Sequence, residues 1–192
     1  MTTLLPLVFT SGWASGVNAY ATVLLLGLLG RFGGVDAVPA GLERTDVLVA
    51  AAVLYAVEFV ADKIPYVDST WDAIHTVIRP VVGTGIGLLA GGDATSLDQA
   101  VLAATGGTTA LASHLVKSGL RLAVNTSPEP ASNIAVSLLE DFSVAGIISL
   151  AVAAPWVAAG IAAVLLAIGT VLVVVLASRI KRARARWRAR RA

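Results

Sequence analysis

Asp68, Asp72, His75 and Arg79 stand at i, i+4, i+7 and i+11 within an otherwise apolar stretch. Steps of three and four place them on one face of a helix, as a single polar stripe. The same pattern returns at His114, Ser118, Arg121 and Asn125, with Lys117 adjacent. Further ionisable residues accompany them: Glu58 and Asp62 one turn apart with Lys63 beside them, then Glu140 and Asp141. Upstream, "TSGWASGVNAY" adds Ser15 and Asn18 to an uncharged run, along with a G-x-x-x-G pair at Gly12 and Gly16.

These residue types permit three chemistries. Arg79, Lys117 and Arg121 can hold a carboxylate or phosphate through charge-assisted hydrogen bonds. Glu58, Glu140 or Asp141 can carry a proton, which His75 and His114 can relay. Alternatively, Asp72-x-x-His75 and Glu58-x-x-x-Asp62 can each aim two ligands at one point, with Glu140 and His114 completing a divalent-metal site. Lys63 and Arg79 lie in those same stripes and oppose a bound cation, so metal binding is the second choice.

The expected site therefore comprises Ser15, Asn18, Glu58, Asp72, His75, Arg79, His114, Lys117, Arg121, Asn125, Glu140 and Asp141. It would serve a small transporter or channel for an anionic solute or lipid head group, with proton coupling and no cofactor. Enzymatic chemistry has little support. Neither G-x-S-x-G nor HExxH occurs, and "GTGIG" and "GGDATS" lack the lysine of a phosphate-binding loop. A purely structural reading competes with transport. Lys117 and Arg121 could simply pair with Glu140 and Asp141 to join two helices. Asp62, Lys63, Asp68 and Glu129 fall near predicted helix ends, where charges reach the interface or cap a helix.

The elements that must position these residues are membrane helices. Of the 192 residues 57% are hydrophobic and only 14% charged, more apolar surface than a soluble domain of this size can hide. Uncharged runs from Met1 to Gly30 and from Phe142 to Ser178 exceed the roughly 20 residues that cross a bilayer. High Ala, Gly, Val and Leu without strict alternation indicates helices and not a barrel. Six helices are expected, at about 3–31, 45–63, 69–91, 97–124, 132–153 and 155–178, forming one transmembrane domain over 1–178. Breakers mark the joints: "RFGGVDAVPAG", "KIPYVDS", "AGGDATS", "NTSPEPASN" and, least securely, Pro155.

The two halves echo each other. "SGVNAY" at Ser15 answers "SGLRLA" at Ser118, and Glu58-Phe59 answers Glu140-Asp141-Phe142. Trp71 followed by Gly83-Thr84 likewise answers Trp156 followed by Gly169-Thr170. Two inverted three-helix repeats, 1–92 and 97–178, would give such an echo. Chance similarity between Gly/Ala-rich membrane sequences is the alternative.

Eight of the fourteen Lys and Arg residues fall at 179–192, and the other six face all twelve acids. A basic tail after an apolar segment predicts a cytoplasmic C-terminus and, with an even span count, a cytoplasmic N-terminus. Anionic lipid is the expected partner of that tail, at about 1 kcal/mol per basic residue near the surface. Nucleic acid is not expected, since Trp187 is the tail's one aromatic residue. No basic n-region precedes the first apolar run, so no signal peptide is expected. Without cysteine there are no disulfides or thiolate metal sites.

"SGVNAY", "EFVADKIPYVDSTWDAIHTVIRP", "HLVKSGLRLAVNTSPEPASN" and "LLED" together resemble a family of small bacterial integral membrane proteins catalogued as a domain of unknown function. The resemblance runs from about Ser11 to Asp141. It implies a compact multi-helix protein of the bacterial inner membrane whose signature residues are these polar groups. It implies no activity. A homo-oligomer completes the expectation.

Overall fold

The computed structural model describes residues 4–92, 94–125 and 130–189. Its helices are α1 (Leu4–Val17), α2 (Ala19–Gly33), α3 (Thr45–Ala61), α4 (Pro65–Gly91), α5 (Ser96–Asn125), α6 (Pro130–Ala153) and α7 (Pro155–Ala189). A 3-10 turn at Ala40–Leu42 lies between α2 and α3, and no strand occurs among the described residues. Glu129 and the Thr126–Glu129 part of the "NTSPEPASN" joint lie outside the described residues, as does Asp93.

The protein is an all-α membrane protein, but six spans is a correction to make. Among the described residues, three helices are long and apolar enough to cross a membrane: Tyr66–Gly91, Ala131–Ala153 and Pro155–Arg182. The first expected span breaks in two, and helices of 14 and 15 residues reach only about 21–23 Å at 1.5 Å per residue. α3 has 17 residues, and α5, though 30 residues long, is diluted by Gly, Thr and its charged stripe. The joint at Pro155 holds, with α6 ending at Ala153 and proline opening α7. α7 continues through the basic segment to Ala189, so the described part of that segment is helical and not a loose tail.

Local chemistry explains the break in the first segment. Asn18 takes an extended conformation (φ −149°, ψ 103°), and its side-chain oxygen accepts from the Ala21 amide at 2.9 Å. Asn18 thus ends α1 and caps α2, supplying one of the hydrogen bonds that a helix start lacks. α2 stops at Gly34, whose φ of +62° suits a residue without Cβ.

α1 lies at the centre of the molecule, with eleven of its fourteen residues buried. Trp13, Ala14 and Val17 pack with Leu26, Val144, Ile148 and Ala162 in the main apolar cluster. Towards α4 and α5 the packing is backbone against backbone. A Cβ on Gly12 would come within 2.6 Å of the Gly106 carbonyl oxygen, and one on Gly83 within 2.5 Å of that same oxygen. A Cβ on Gly16 would strike the Ala110 carbonyl, and one on Gly87 the Leu102 carbonyl. The G-x-x-x-G of α1 and the Gly83/Gly87 pair of α4 therefore both seat on α5, as small residues allow in membrane helices.

Burial is inverted relative to a soluble protein. Glu58, Asp68, Arg79 and His114 are fully buried. Val49, Val53 and Val57 on α3, Val77 and Val81 on α4, and Val164, Ile168 and Val171 on α7 are exposed. Lipid is the solvent that suits such an exterior.

Candidate functional site

The buried charges form a ladder along the facing stripes of α4 and α5, with α3 and α6 contributing from the sides. At its first rung, Arg79 is wholly buried. Its Nη2 donates to Glu58 Oε1 at 2.7 Å, and its Nη1 lies 3.3 Å from Asp72 Oδ1. Nη1 also donates to the Gly16 carbonyl at 3.1 Å and to His114 Nδ1 at 2.8 Å. Since a guanidinium only donates, His114 accepts at Nδ1 and its proton sits on Nε2, 3.0 Å from Thr76 Oγ1.

At the second rung, Lys117 Nζ donates to Asp62 Oδ2 at 2.9 Å and to the Val17 carbonyl at 3.0 Å. It also lies 3.4 Å from Glu140 Oε2 and 3.9 Å from Glu58 Oε1. At the third, Arg121 Nη2 lies 2.8 Å from Asp68 Oδ1 and donates to the Asp62 carbonyl. Its Nη1 reaches Asn133 Oδ1 at 2.6 Å, which ties α6 to α5. Asn125 closes this end, donating to Asp68 Oδ2 at 2.5 Å.

The interrupted first segment meets this ladder at its break. The last carbonyls of α1, on Gly16 and Val17, point at Arg79 and Lys117, the charge that a helix C-terminus attracts. Asn18, at the start of α2, donates through Nδ2 to Asp141 Oδ1 at 3.1 Å. Two clefts flank the ladder. One of about 320 Å³ is lined by Asp72, Thr76, Ser118, Arg121 and Asn125 among others. The second, of about 210 Å³, is lined by Trp13, Ser113, Lys117, Glu140, Ser143 and Leu166 among others. Ser118 and Leu122 in the first, and Lys117 and Leu120 in the second, lie on opposite faces of α5 by helical spacing.

Glu58, Asp72, Arg79, His114, Lys117, Arg121, Asn125, Glu140, Asp141 and Asn18 are thus drawn into one neighbourhood. Ser15 is there in a supporting role, its Oγ donating to the Arg79 carbonyl at 3.2 Å. His75 stands apart from the charges. Its Nδ1 donates to the Trp71 carbonyl at 2.8 Å, its Nε2 is 3.1 Å from Tyr20 Oη, and its ring stacks on Trp71.

Asp62 and Asp68, expected at an interface, are instead buried at 2% and 0% exposure and bind the ladder's cations. The reason is that these two side chains turn inward to Lys117 and Arg121, while Ile64, Tyr66 and Val67 of the same turn are exposed. The i+4 and i−4 relation of Asp62 and Asp68 to Glu58 and Asp72 was the available signal. Asn133 was not foreseeable by spacing, since it depends on how α6 docks. Lys63 is intermediate, donating to the Phe59 carbonyl at 2.8 Å with its Nζ 3.0 Å from the Phe59 ring centroid.

No three His, Asp or Glu side chains among the described residues converge on a point that could hold a metal ion. Glu58, Asp62, Asp68, Asp72 and Glu140 each lie within 4 Å of Arg79, Lys117 or Arg121, and Asp141 accepts from Asn18. A family model described as a domain of unknown function, DUF4126, matches residues 5–175. No curated protein and no solved structure matches the chain.

Proposed function

On the premise that the chain belongs to the DUF4126 family, whose description names no activity, we propose that it is a small membrane transporter or channel for an anionic solute or lipid head group, coupled to protons. The carrying observation is the helix broken at Asn18, with one cut end facing Arg79 and Lys117 and the other tied to Asp141. Discontinuous helices whose ends face a charged site deep in a membrane protein are a recurrent way of holding a solute.

The charge ledger supports the proton coupling. Glu58, Asp62, Asp68, Asp72, Glu140 and Asp141 outnumber Arg79, Lys117 and Arg121 two to one. Among the described residues, Glu58 Oε2, Asp62 Oδ1 and Asp141 Oδ2 are buried without a hydrogen-bond donor. Surplus negative charge in a low-dielectric interior needs protons or a cation to offset it. A second reading, charges that only join helices, draws on the carboxylate partner that each buried cation has. Charges serving only as joints would be matched, and these are not.

Flux separates the two. Protein reconstituted in vesicles should take up some members of a panel of radiolabelled phosphates and carboxylates, driven by an inward proton gradient. Lys117→Ala, Arg121→Ala and Glu140→Gln should lose at least tenfold in rate while the Glu140→Gln protein remains folded. Variants that lose only stability, with no flux in the wild type, would identify the charges as joints.

A further inference from the structure

Resting on the transport reading, we infer that Lys117 and Arg121 form an oxyanion subsite whose resident occupant is the carboxylate of Glu140, displaced by an incoming carboxylate or phosphate when Glu140 takes up a proton. Glu140 is the most loosely held of the carboxylates on these two cations. Its Oε2 lies 3.4 Å from Lys117 Nζ and 3.8 Å from Arg121 Nε and accepts no hydrogen bond among the described residues. Asp62 and Asp68 approach the same cations to 2.9 and 2.8 Å. The Glu140 side chain also keeps 15% exposure, against 3% for Asp62 and 0% for Asp68.

That exposure opens onto the 210 Å³ cleft, which supplies the route and the class of ligand. Lys117, Glu140, Ser113 and Ser143 make its polar part, and Trp13 and Leu166 part of its apolar wall. An oxyanion carrying a short apolar body matches both. A free carboxylate and a lipid phosphate share that chemistry.

The charged surroundings of Glu140 fix what its proton does. Asp62 at the C-terminal end of α3, Arg79 on α4 and Lys117 and Arg121 on α5 act on it, with Asp141 beside it on α6. Glu58 and Asp68 touch the same cations, and Lys63 reaches Phe59 and Ser137 instead. α1 carries no charged residue, Arg31 of α2 is at its far end, and the charges of α7 begin at Arg179. Forming one O–H bond on Glu140 removes one negative charge from the cation pair, and one bound monoanion restores it. Binding is therefore electroneutral, one proton per monoanion. Affinity weakens about tenfold per pH unit once Glu140 is ionised in the unliganded protein.

The test is calorimetric titration of the purified full chain in two buffers of different ionisation enthalpy, which counts protons taken up per ligand. One arm uses butyrate, the other a short-chain phosphatidate, so that the two sources of the oxyanion are told apart. In whichever arm binds, at a pH where the ligand is a monoanion, wild type should take up about one proton per anion. Glu140→Gln, which carries the neutral form permanently, should bind with no uptake and no pH dependence in the same range. Glu140→Ala should repeat that result if the amide packs poorly. Undiminished proton uptake in either variant overturns the inference and leaves transport standing. So does loss of binding in a folded variant, because a displaced occupant is not needed for binding. Binding of neither butyrate nor phosphatidate by the wild type overturns the subsite, and transport is then judged by the flux panel alone.

Discussion

Arg79→Met should lower the stability of the folded protein by about 3–5 kcal/mol, the usual consequence of stranding a buried charge. The methionine fills the space but leaves Glu58 and Asp72 without the guanidinium that each faces at 2.7 and 3.3 Å. It also frees the Gly16 carbonyl and His114 Nδ1. Four partners on four helices lose one side chain together, so α1, α3, α4 and α5 all loosen. The measurement is reversible unfolding in mixed micelles, wild type against variant. Adding Glu58→Leu to Arg79→Met should recover a substantial part of the loss, because an apolar pair of similar volume avoids the uncompensated carboxylate. A change below about 1 kcal/mol in Arg79→Met, or no recovery in the double variant, would show that the rung carries little of the fold.

Gly106→Val should be the second severe variant. Gly106 is the point where α1, α4 and α5 meet. A Cβ there runs into the Gly83 carbonyl oxygen, lies 2.9 Å from the Gly83 carbonyl carbon and comes within 3.3 Å of Val8. The obstacle is backbone, which no rotamer change can move aside, so the helices must separate. Overpacking of this kind costs about 1–3 kcal/mol and more when backbone is in the way. Gly85→Val on the same α4, where nothing lies within 4 Å of the added Cβ, should change stability by less than about 0.5 kcal/mol. Thermal melting of the three proteins in one detergent makes the comparison. Equal melting points for Gly106→Val and wild type would contradict the close approach.

The contrast between these two glycines shows what could be read before the fold was known. G-x-x-x-G and the two polar stripes are local periodicities, so Gly12, Gly16, Asp72, Arg79, Lys117 and Arg121 could be picked out from spacing alone. Their meeting across α4 and α5 could be guessed because a stripe of charges has nowhere else to go in lipid. The position of the break, at Asn18, was not legible. "SGVNAY" carries no proline, and its apolar flanks suit an unbroken span. The extended backbone at Asn18 is held by tertiary contacts, namely Lys117 on the Val17 carbonyl and Asp141 on the asparagine side chain. The span count failed partly for the same reason, because one hydropathy run became two short helices, and partly because α3 is short and α5 carries the charged stripe. Asp62 and Asp68 were misplaced because a predicted helix end was equated with the membrane surface, whereas both side chains turn inward to Lys117 and Arg121 from a turn whose Ile64, Tyr66 and Val67 are exposed.

Whether the ladder is open to a polar solute or sealed as a structural joint is decided most directly by thiol accessibility. The chain has no cysteine, so a single one reports without background. Ser118→Cys lines the 320 Å³ cleft and Ser143→Cys the 210 Å³ cleft. A hydrophilic maleimide added to folded, reconstituted protein should modify both, and butyrate or phosphatidate should slow the reaction at Ser143→Cys. Two cysteines that stay unmodified until the protein is denatured would mean that no water reaches the charges, and would contradict a solute pathway through them.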